Sequence, residues 1–471
     1  MALIIDGKRL ESFFSPTGIA VLGASTKNQW FFNIASYAQR LGFSGRLIPV
    51  NPKASNVGGI PAVAAIADLP DGLDFAAVVL RSDQVLGALD ELSHKGITNI
   101  LLVSSGFAET GAEGRDLQEK LVSFCVDRNI LLMGPNCLGF MNMAKGTGVF
   151  AGGSVEGDLS GGDVGIIGQS GAASELIATK ILKKGLGISL YVTTGNEAML
   201  KAEDCLEHMI EDDTTRVVTA FMEGFRDIPR LRTLAERAAE RSIPIVVIKI
   251  GRSKKGVQAA SSHTGALAGD DGIVDSFLRQ HGIVRVETVE ELVETAGLFS
   301  RYRLPDGEGL AVCTLSGGLA GLYADLSHSL GIDLPDFQEA TCAALRDVLP
   351  AFATPANPLD VTGSGFLGGM GRIVKIMLDD ENVHALLTLS FPPAGEQDEF
   401  AKNFNETWMA QARDASKPVI PITFREVGDY ARQYYRDQHH SYIEHTQDGF
   451  KAVRHFMRYA RFLRERSARA A

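Results

Sequence analysis

One phrase occurs three times along this chain and limits what it can fold into. Gly18–Ser25 reads GIAVLGAS, Val164–Ala172 reads VGIIGQSGA and Leu310–Gly318 reads LAVCTLSGG. Each is a short apolar strand running into a Gly/Ser turn, with a helical pattern behind it. The serines of the three turns, Ser25, Ser170 and Ser316, lie 145 and 146 residues apart. Spacing that even predicts three successive α/β domains, each opening on strand, glycine turn and helix. The length of 471 residues agrees, at roughly 150 residues per domain. The predicted domains are 1–150, 160–304 and 308–460. The Gly/Ser-rich Gly146–Gly162 and the turn cluster Pro305–Gly309 read as linkers between them.

Inside the first domain, strands are predicted at Ile19–Gly23, Arg46–Val50, Phe75–Leu80, Asn99–Ser104 and Ile130–Met133. Amphipathic helices alternate with them, among them Asn33–Leu41 and Arg115–Asp127. Such alternation means a parallel, doubly wound sheet. The second domain adds strands at Arg216–Met222 and Ile243–Ile250, and the third at His384–Ser390 and Val419–Thr423. A basic helix near Phe450–Arg466 closes the chain and reads as a packing helix.

Charge and cysteine usage narrow the function classes. A net charge of −11 and a pI near 5.5 argue against nucleic acid or an anionic membrane as the main partner. A phosphorylated ligand must then be held by local lysines, backbone N–H groups and helix ends. Cys125, Cys137, Cys205, Cys313 and Cys342 are odd in number and widely spaced, the pattern of reduced thiols without a disulfide frame or a zinc cluster. The N-terminal MALIIDGKRLESFF carries Asp6 and Glu11 where a signal peptide needs apolar residues. No run approaches the 18 or so apolar residues of a membrane span. The expectation is a cytoplasmic protein without metal ligands of its own.

The stretch richest in chemistry is Lys249–Ala268, KIGRSKKGVQAASSHTGALA. It follows a buried-strand pattern, precedes a helical one from about Asp271, and is too small and polar to pack a core. A long loop of that kind inside a domain is more often functional than filler. An arbitrary loop histidine is usually satisfied by a carbonyl. His263, however, is flanked by Ser262, Thr264 and Gly265, which offer hydroxyls and open backbone, as a group carrying a phosphate would need. Imidazole is a nucleophile that titrates near neutrality, so a phosphohistidine is the sharp reading. The turns Ser170-Gly171-Ala172 and Ser316-Gly317-Gly318 each start a helix whose N–H groups suit an anion. Glu223, after the apolar strand Val217–Met222, is either a solvated strand-end charge or a carboxylate that orients the imidazole.

The first turn, Gly23-Ala24-Ser25-Thr26-Lys27-Asn28, keeps only the first glycine of a dinucleotide fingerprint. The second strand runs into Asn51-Pro52-Lys53 instead of ending in an acid that would hold a ribose. A phosphate-bearing ligand without that contact fits better, with Ser25 and Lys27 on one side and Lys53 on the other. Two further turns, Ser105–Gly111 (SGFAETG) and Gly134–Gly139 (GPNCLG), fall at later strand ends of the same sheet.

At this point the residues resemble a known family, the α subunits of NDP-forming acyl-CoA synthetases, relatives of succinyl-CoA synthetase. The resemblance runs from Phe13 to about Phe456. Its most specific segment, Lys249–Asp270, is similar to the family's phosphohistidine loop. GAS at Gly23–Ser25, PVNPK at Pro49–Lys53, GFAETG and GPNCLG resemble its CoA-binding domain, and FMEG resembles the segment whose glutamate orients the histidine. NPLDVTG, Asn357–Gly363, is similar to a turn of the last domain.

The resemblance implies a Rossmann-like CoA-binding domain followed by two flavodoxin-like domains. It implies CoA contacts from Gly23, Ser25, Lys27, Asn51, Lys53 and Asn136. It further implies catalysis by His263 with Glu223, and phosphate binding by Ser170, Gly171, Ala172, Ser316, Gly317 and Gly318. The sequence departs from the family at KNQWFF, Lys27–Phe32, where relatives keep glycines, and at Leu80-Arg81-Ser82, which replaces a Val-Pro-Ala turn.

There is no Walker loop, and no segment after residue 460 has room for an ATP-grasp domain. The resemblance therefore implies an ATP-grasp β subunit that binds Mg-ATP, in a dimer or hetero-oligomer. The expected activity joins a small carboxylic acid to CoA at the expense of ATP. The alternative is a CoA-binding acyl-transfer or regulatory protein of the same fold without nucleotide-dependent turnover.

Overall fold

Residues 5–258 and 271–470 are described by the computed structural model. Contacts divide the chain into two units, Met1–Leu182 with Gly187–Val286, and Lys183–Leu186 with Glu287–Ala471. His263, Ser262, Thr264 and Gly265 lie outside the described residues.

The first unit holds two large sheets. Strands β1 (Gly18–Leu22) and β2 (Arg46–Val50) are followed by a small ribbon, β3 (Asn56–Val57) and β4 (Ile60–Pro61). Then come β5 (Phe75–Val78), β6 (Asn99–Leu102) and β7 (Leu131–Met133). The first sheet has the order β2-β1-β5-β6-β7, and every pairing in it is parallel. Leu22 pairs with Val50 on one side and Val78 on the other, and Val78 with Leu102. That register brings the carboxyl ends, and the loops that follow them, to one edge. The chain reverses direction of strand addition at β1, which opens a crevice there.

The second sheet is built from β8 (Gly139–Asn142), β9 (Thr147–Phe150), β10 (Gly161–Gly168), β11 (Ile188–Thr193), β12 (Val217–Met222), β13 (Ile245–Lys249) and β14 (Val284–Val286), in the order β14-β13-β12-β10-β11-β8-β9. The strands from β10 to β14 are parallel, while β8 runs antiparallel to β11 and β9 antiparallel to β8. Here the structure departs from the expected division of the chain. The hairpin Gly139–Phe150 falls in the expected first domain and in the Gly/Ser linker after it, yet it hydrogen-bonds to the second sheet. The reason is apolar: Phe140, Met141, Val149 and Phe150 are fully buried. Phe140 packs edge-on against Phe14 at 5.1 Å and Phe75 at 5.7 Å, joining both sheets and the helix Gly7–Phe14 in one core. Such ring pairs add roughly 0.5–1.5 kcal/mol each beyond the area they bury.

The second unit carries β15 (Leu310–Thr314), β16 (Leu359–Asp360), β17 (Ala385–Ser390) and β18 (Val419–Thr423), all parallel, in the order β16-β15-β17-β18. The closing helix spans Thr446–Ala470 and buries Phe450, Val453 and Phe456, so it packs as expected. No helix among the described residues is long and apolar enough to cross a membrane. All five cysteines are free, and four of them are buried.

Candidate active site

At the first sheet's edge the turn after β1 is fixed by backbone geometry. Gly23 has φ +80°, and a Cβ there would lie 2.1 Å from the Val79 carbonyl oxygen, so only glycine fits. Asn28, which sequence reading passed over, ties the turn: its Nδ2 donates to Gly23 O at 2.8 Å. Its Oδ1 accepts from Trp30 N and Phe31 N and caps the helix Gln29–Arg40. The atypical KNQWFF thus still makes a helix start, with its own cap. Asn51 Nδ2 donates to Ala24 O at 2.7 Å, and Asn51 Oδ1 accepts from Lys53 N at 2.7 Å. A cleft of about 750 Å³ opens along this edge, with Ser25, Lys27, Trp30, Arg81 and Ser105 among its walls. Asn51 and Lys53 flank it without lining it; Asn136 reaches its floor through Asn136 N to Ser104 O at 2.9 Å. A cleft walled by Lys27 and Arg81 and lined by Ser25, Ser104 and Ser105 suits a phosphorylated ligand such as CoA.

The second sheet's edge is more buried. Glu223 is 6% exposed and Lys249, paired with Met222 across β12 and β13, is 7% exposed. Glu223 is therefore no solvated strand-end charge. Burial lowers the Lys249 ammonium pKa, and Arg285 lowers it further, against Asp271 and Glu223. Between β10 and the helix Gly171–Lys183 stands Gln169, whose Oε1 accepts from Glu223 N at 2.6 Å and Gly224 N at 3.0 Å. Its Nε2 donates to Gly224 O at 2.9 Å and to Glu197 Oε2 at 3.0 Å. Burial raises the Glu197 carboxyl above its ordinary range, opposed by Gln169, Arg226 and Thr194. Nothing in the sequence pattern singled out Gln169 or Glu197. Their partners lie 28 to 55 residues away, on strands whose order the sequence does not print.

The described residues on both sides of the stretch that bears His263 lie near this edge. Residues 254–258 form a short helical turn. The helix after the loop begins at Asp271, held by Arg285 at 2.5 Å and Arg252 at 3.5 Å. Within the first unit the two carboxyl edges also meet. Asn196 N and Ala198 N donate to the carbonyls of Pro135 and Gly134. A Cβ on Gly171 would stand 2.7 Å from Leu138. The turn GPNCLG therefore touches both the loop after β11 and the helix start at Gly171.

In the second unit, Ser316 caps the helix Gly317–Leu330. A Cβ on Gly317 would come within 3.3 Å of Asp360, and one on Gly318 no closer than 3.7 Å to anything. The NPLDVTG segment is held by Asn357, which donates to Leu310 O at 2.8 Å and accepts from Val312 N at 3.0 Å.

Comparison with known proteins agrees with this layout. Residues 17–143 match the CoA binding domain family, and residues 161–299 the succinyl-CoA ligase like flavodoxin domain. The α subunit of ADP-forming acetate–CoA ligase II from Pyrococcus furiosus is 31% identical over 390 residues, 82% of this chain and 83% of that subunit. ADP-forming acetate–CoA ligase I from Archaeoglobus fulgidus is 34% identical over 386 residues, 82% of this chain but only 55% of that protein. The chain thus spans about half the length of several curated relatives it matches. Among solved structures, the apo form of the dinucleotide forming acetyl-coenzyme A synthetase 1 of Ca. Korarchaeum cryptofilum superposes with a TM-score of 0.85 at 28% identity, covering 98% of this chain and 100% of that one. The same protein has been solved in complex with phosphate and ADP. On its two domain matches, its sequence identity and its fold, this chain belongs to the family of ADP-forming acyl-CoA synthetases and corresponds to their α subunit.

Proposed function

We propose that this chain is the catalytic α subunit of an acid–thiol ligase that makes an acyl-CoA from a carboxylate, CoA and ATP, releasing ADP and phosphate. The observation that carries the reading is the meeting of the two carboxyl edges at GPNCLG, which brings a phosphate-type helix start beside a cleft suited to CoA. The names of the relatives support it, as does the solved relative holding phosphate and ADP.

In this reading a ring nitrogen of His263 attacks the γ-phosphorus of ATP held with magnesium by an ATP-grasp β subunit; the N–P bond forms and ADP leaves. A carboxylate oxygen of the acid then attacks that phosphorus, freeing His263 and forming an acyl phosphate. The CoA thiolate finally attacks the acyl carbon, and inorganic phosphate leaves. A covalent carrier suits this chemistry because it splits one difficult step into easier ones. Glu223 accepts a hydrogen bond from the other ring nitrogen and fixes the tautomer. Ser170, Gly171 and Ala172 supply N–H groups for the phosphate, and Ser316, Gly317 and Gly318 open a helix of the same phosphate-binding kind in the second unit. CoA is held by Gly23, Ser25, Lys27, Asn51, Lys53 and Asn136. The active assembly is a cytoplasmic hetero-oligomer.

The test is phosphate transfer to the protein. Parent and His263→Ala are incubated with acetyl-CoA and labelled phosphate, or with labelled ATP and the co-purified partner, and quenched in base, where phosphohistidine survives. His263→Ala should show no label. Lys53→Glu should weaken CoA binding several-fold and leave labelling from ATP intact. If His263→Ala labels as well as the parent, the phosphoryl carrier is elsewhere and the reading fails.

A further inference from the structure

We propose that Gln169 is a positioning residue for phosphoryl transfer, a two-ended clamp that fixes Glu223 against the helix start at Gly171; this rests on the phosphohistidine reading above. Gln169 is 9% exposed and anchored by its own backbone, Gln169 N donating to Phe221 O at 3.1 Å. Its side-chain amide then uses both ends. The oxygen accepts from Glu223 N and Gly224 N, and the nitrogen donates to Gly224 O and Glu197 Oε2.

Glu197 makes the clamp directional. Its Oε1 accepts from Thr194 Oγ1 at 2.9 Å and Ala202 N at 3.1 Å, and its Oε2 from Arg226 Nε at 3.1 Å as well as from Gln169. A carboxylate so placed accepts only, so the Gln169 nitrogen must face it and the Gln169 oxygen must face residues 223 and 224. A flipped amide would break all four side-chain bonds at once. The same residue directly precedes Ser170-Gly171, so one side chain sets both the oriented carboxylate and the anion-binding helix start. Misplacing such a group by about 1 Å costs on the order of 100-fold in rate.

Three variants test it: Gln169→Met, Gln169→Glu, and the exchange of Gln169→Glu with Glu197→Gln. The rate of base-stable labelling is followed from pH 5.5 to pH 8.5, with CoA binding as the check on folding. Gln169→Met loses both ends, and labelling should fall at least about tenfold at every pH. Gln169→Glu sets a second carboxylate against Glu197, with Arg226, Glu203 and Glu223 as the other charges nearby. Two carboxylates in contact share one proton when they can. Labelling should therefore be lost at high pH and recover as pH falls. The exchange restores a donor facing an acceptor and should recover part of the rate at pH 8.5.

The clamp is overturned if Gln169→Glu labels within about twofold of the parent throughout. It is equally overturned if its loss is flat with pH and the exchange recovers nothing, since the side chain then only fills space. Those results, with labelling still dependent on His263, sink the clamp alone. Labelling of His263→Ala at the parent rate, or an unlabelled parent with both donors, removes the phosphohistidine reading and the clamp together.

Discussion

The second and third sheets repeat one layout and fill it with different chemistry. In each, the strand before the glycine turn is flanked by the strand whose end faces that turn: β10 by β12, and β15 by β17. In each, a side-chain amide clamps the backbone just past that neighbouring strand. In the second sheet the clamp is Gln169, from the turn itself, and the clamped residue is Glu223. In the third the turn carries Leu315 at that place, and the clamp comes from a helix: Asn405 accepts from Phe391 N at 3.0 Å and donates to Phe391 O at 2.7 Å. The clamped residue is an aromatic ringed by Phe400, Phe404 and Phe424. The repeat thus conserves the mechanical problem of fixing a strand end, while only one copy delivers a buried acid there. Geometry is shared; the charge is not.

The largest effect that would break this contrast is chemical. Glu223→Gln keeps a hydrogen bond and loses the charge, so labelling of the protein should fall by about 10- to 1000-fold. Phe391→Leu, at the matching place, should leave it within about twofold. A comparable loss in both would mean the third sheet also supplies the acid's role.

Next come the turns. Gly23→Ala places a Cβ 2.1 Å from Val79 O at φ +80° and should cost about 3 kcal/mol or more in the first unit. Gly318→Ala meets nothing closer than 3.7 Å and should stay within about 0.5 kcal/mol. Chemical denaturation of both variants measures the difference. Asn405→Ala removes the bonds to Phe391 N and Phe391 O together and should destabilise the second unit by about 2–3 kcal/mol, without a change in CoA binding.

The last effect is one of pH, and it develops only over an acid range. Burial holds His440 at about 4, against an ordinary 6.5, with Arg413 and His439 lowering it further. Its ring lies 5.0 Å from Trp408, on the helix that carries Asn405. Above pH 6.5 it is neutral folded and unfolded, so its contribution is complete. As pH falls from about 6.5 towards 4, the unfolded chain takes the proton first and stability is lost, on the order of 3 kcal/mol in all. His440→Phe should flatten that slope in a thermal-midpoint series. An unchanged slope would place the acid sensitivity elsewhere.

How much of this was legible depends on the range of the interactions. The thrice-repeated phrase is local, and its strands and turns stand where periodicity puts them, at Gly18–Leu22, Gly161–Gly168 and Leu310–Thr314. Glu223 was found as the acid behind an apolar strand, but its burial follows from β10, β12 and β13 lying side by side, which spacing alone does not reveal. Asn28 carries a local signal, an Asn ahead of an amphipathic run, which the absence of glycines in KNQWFF masks. β11, Ile188–Thr193, went unpredicted although it is apolar and β-branched. The ribbon Gly139–Phe150 was hidden by its glycines, and its place is decided by the exposed edge of β11 that it covers.

That ribbon has a practical consequence for anyone dissecting the chain. A fragment ended at residue 150 keeps two strands whose partner, β11, has been left behind. It would display Phe140, Met141 and Phe150 on an open ladder of unpaired amides, the arrangement that drives edge-to-edge aggregation. It would also strip β11 of its cover and strand the stitching at Thr193, which binds Leu138 N and Gly139 N through its hydroxyl. Insolubility of such a fragment would then report where the scissors fell, not any weakness of the first sheet itself. The seam expected from the sequence and the seam in the protein are different places.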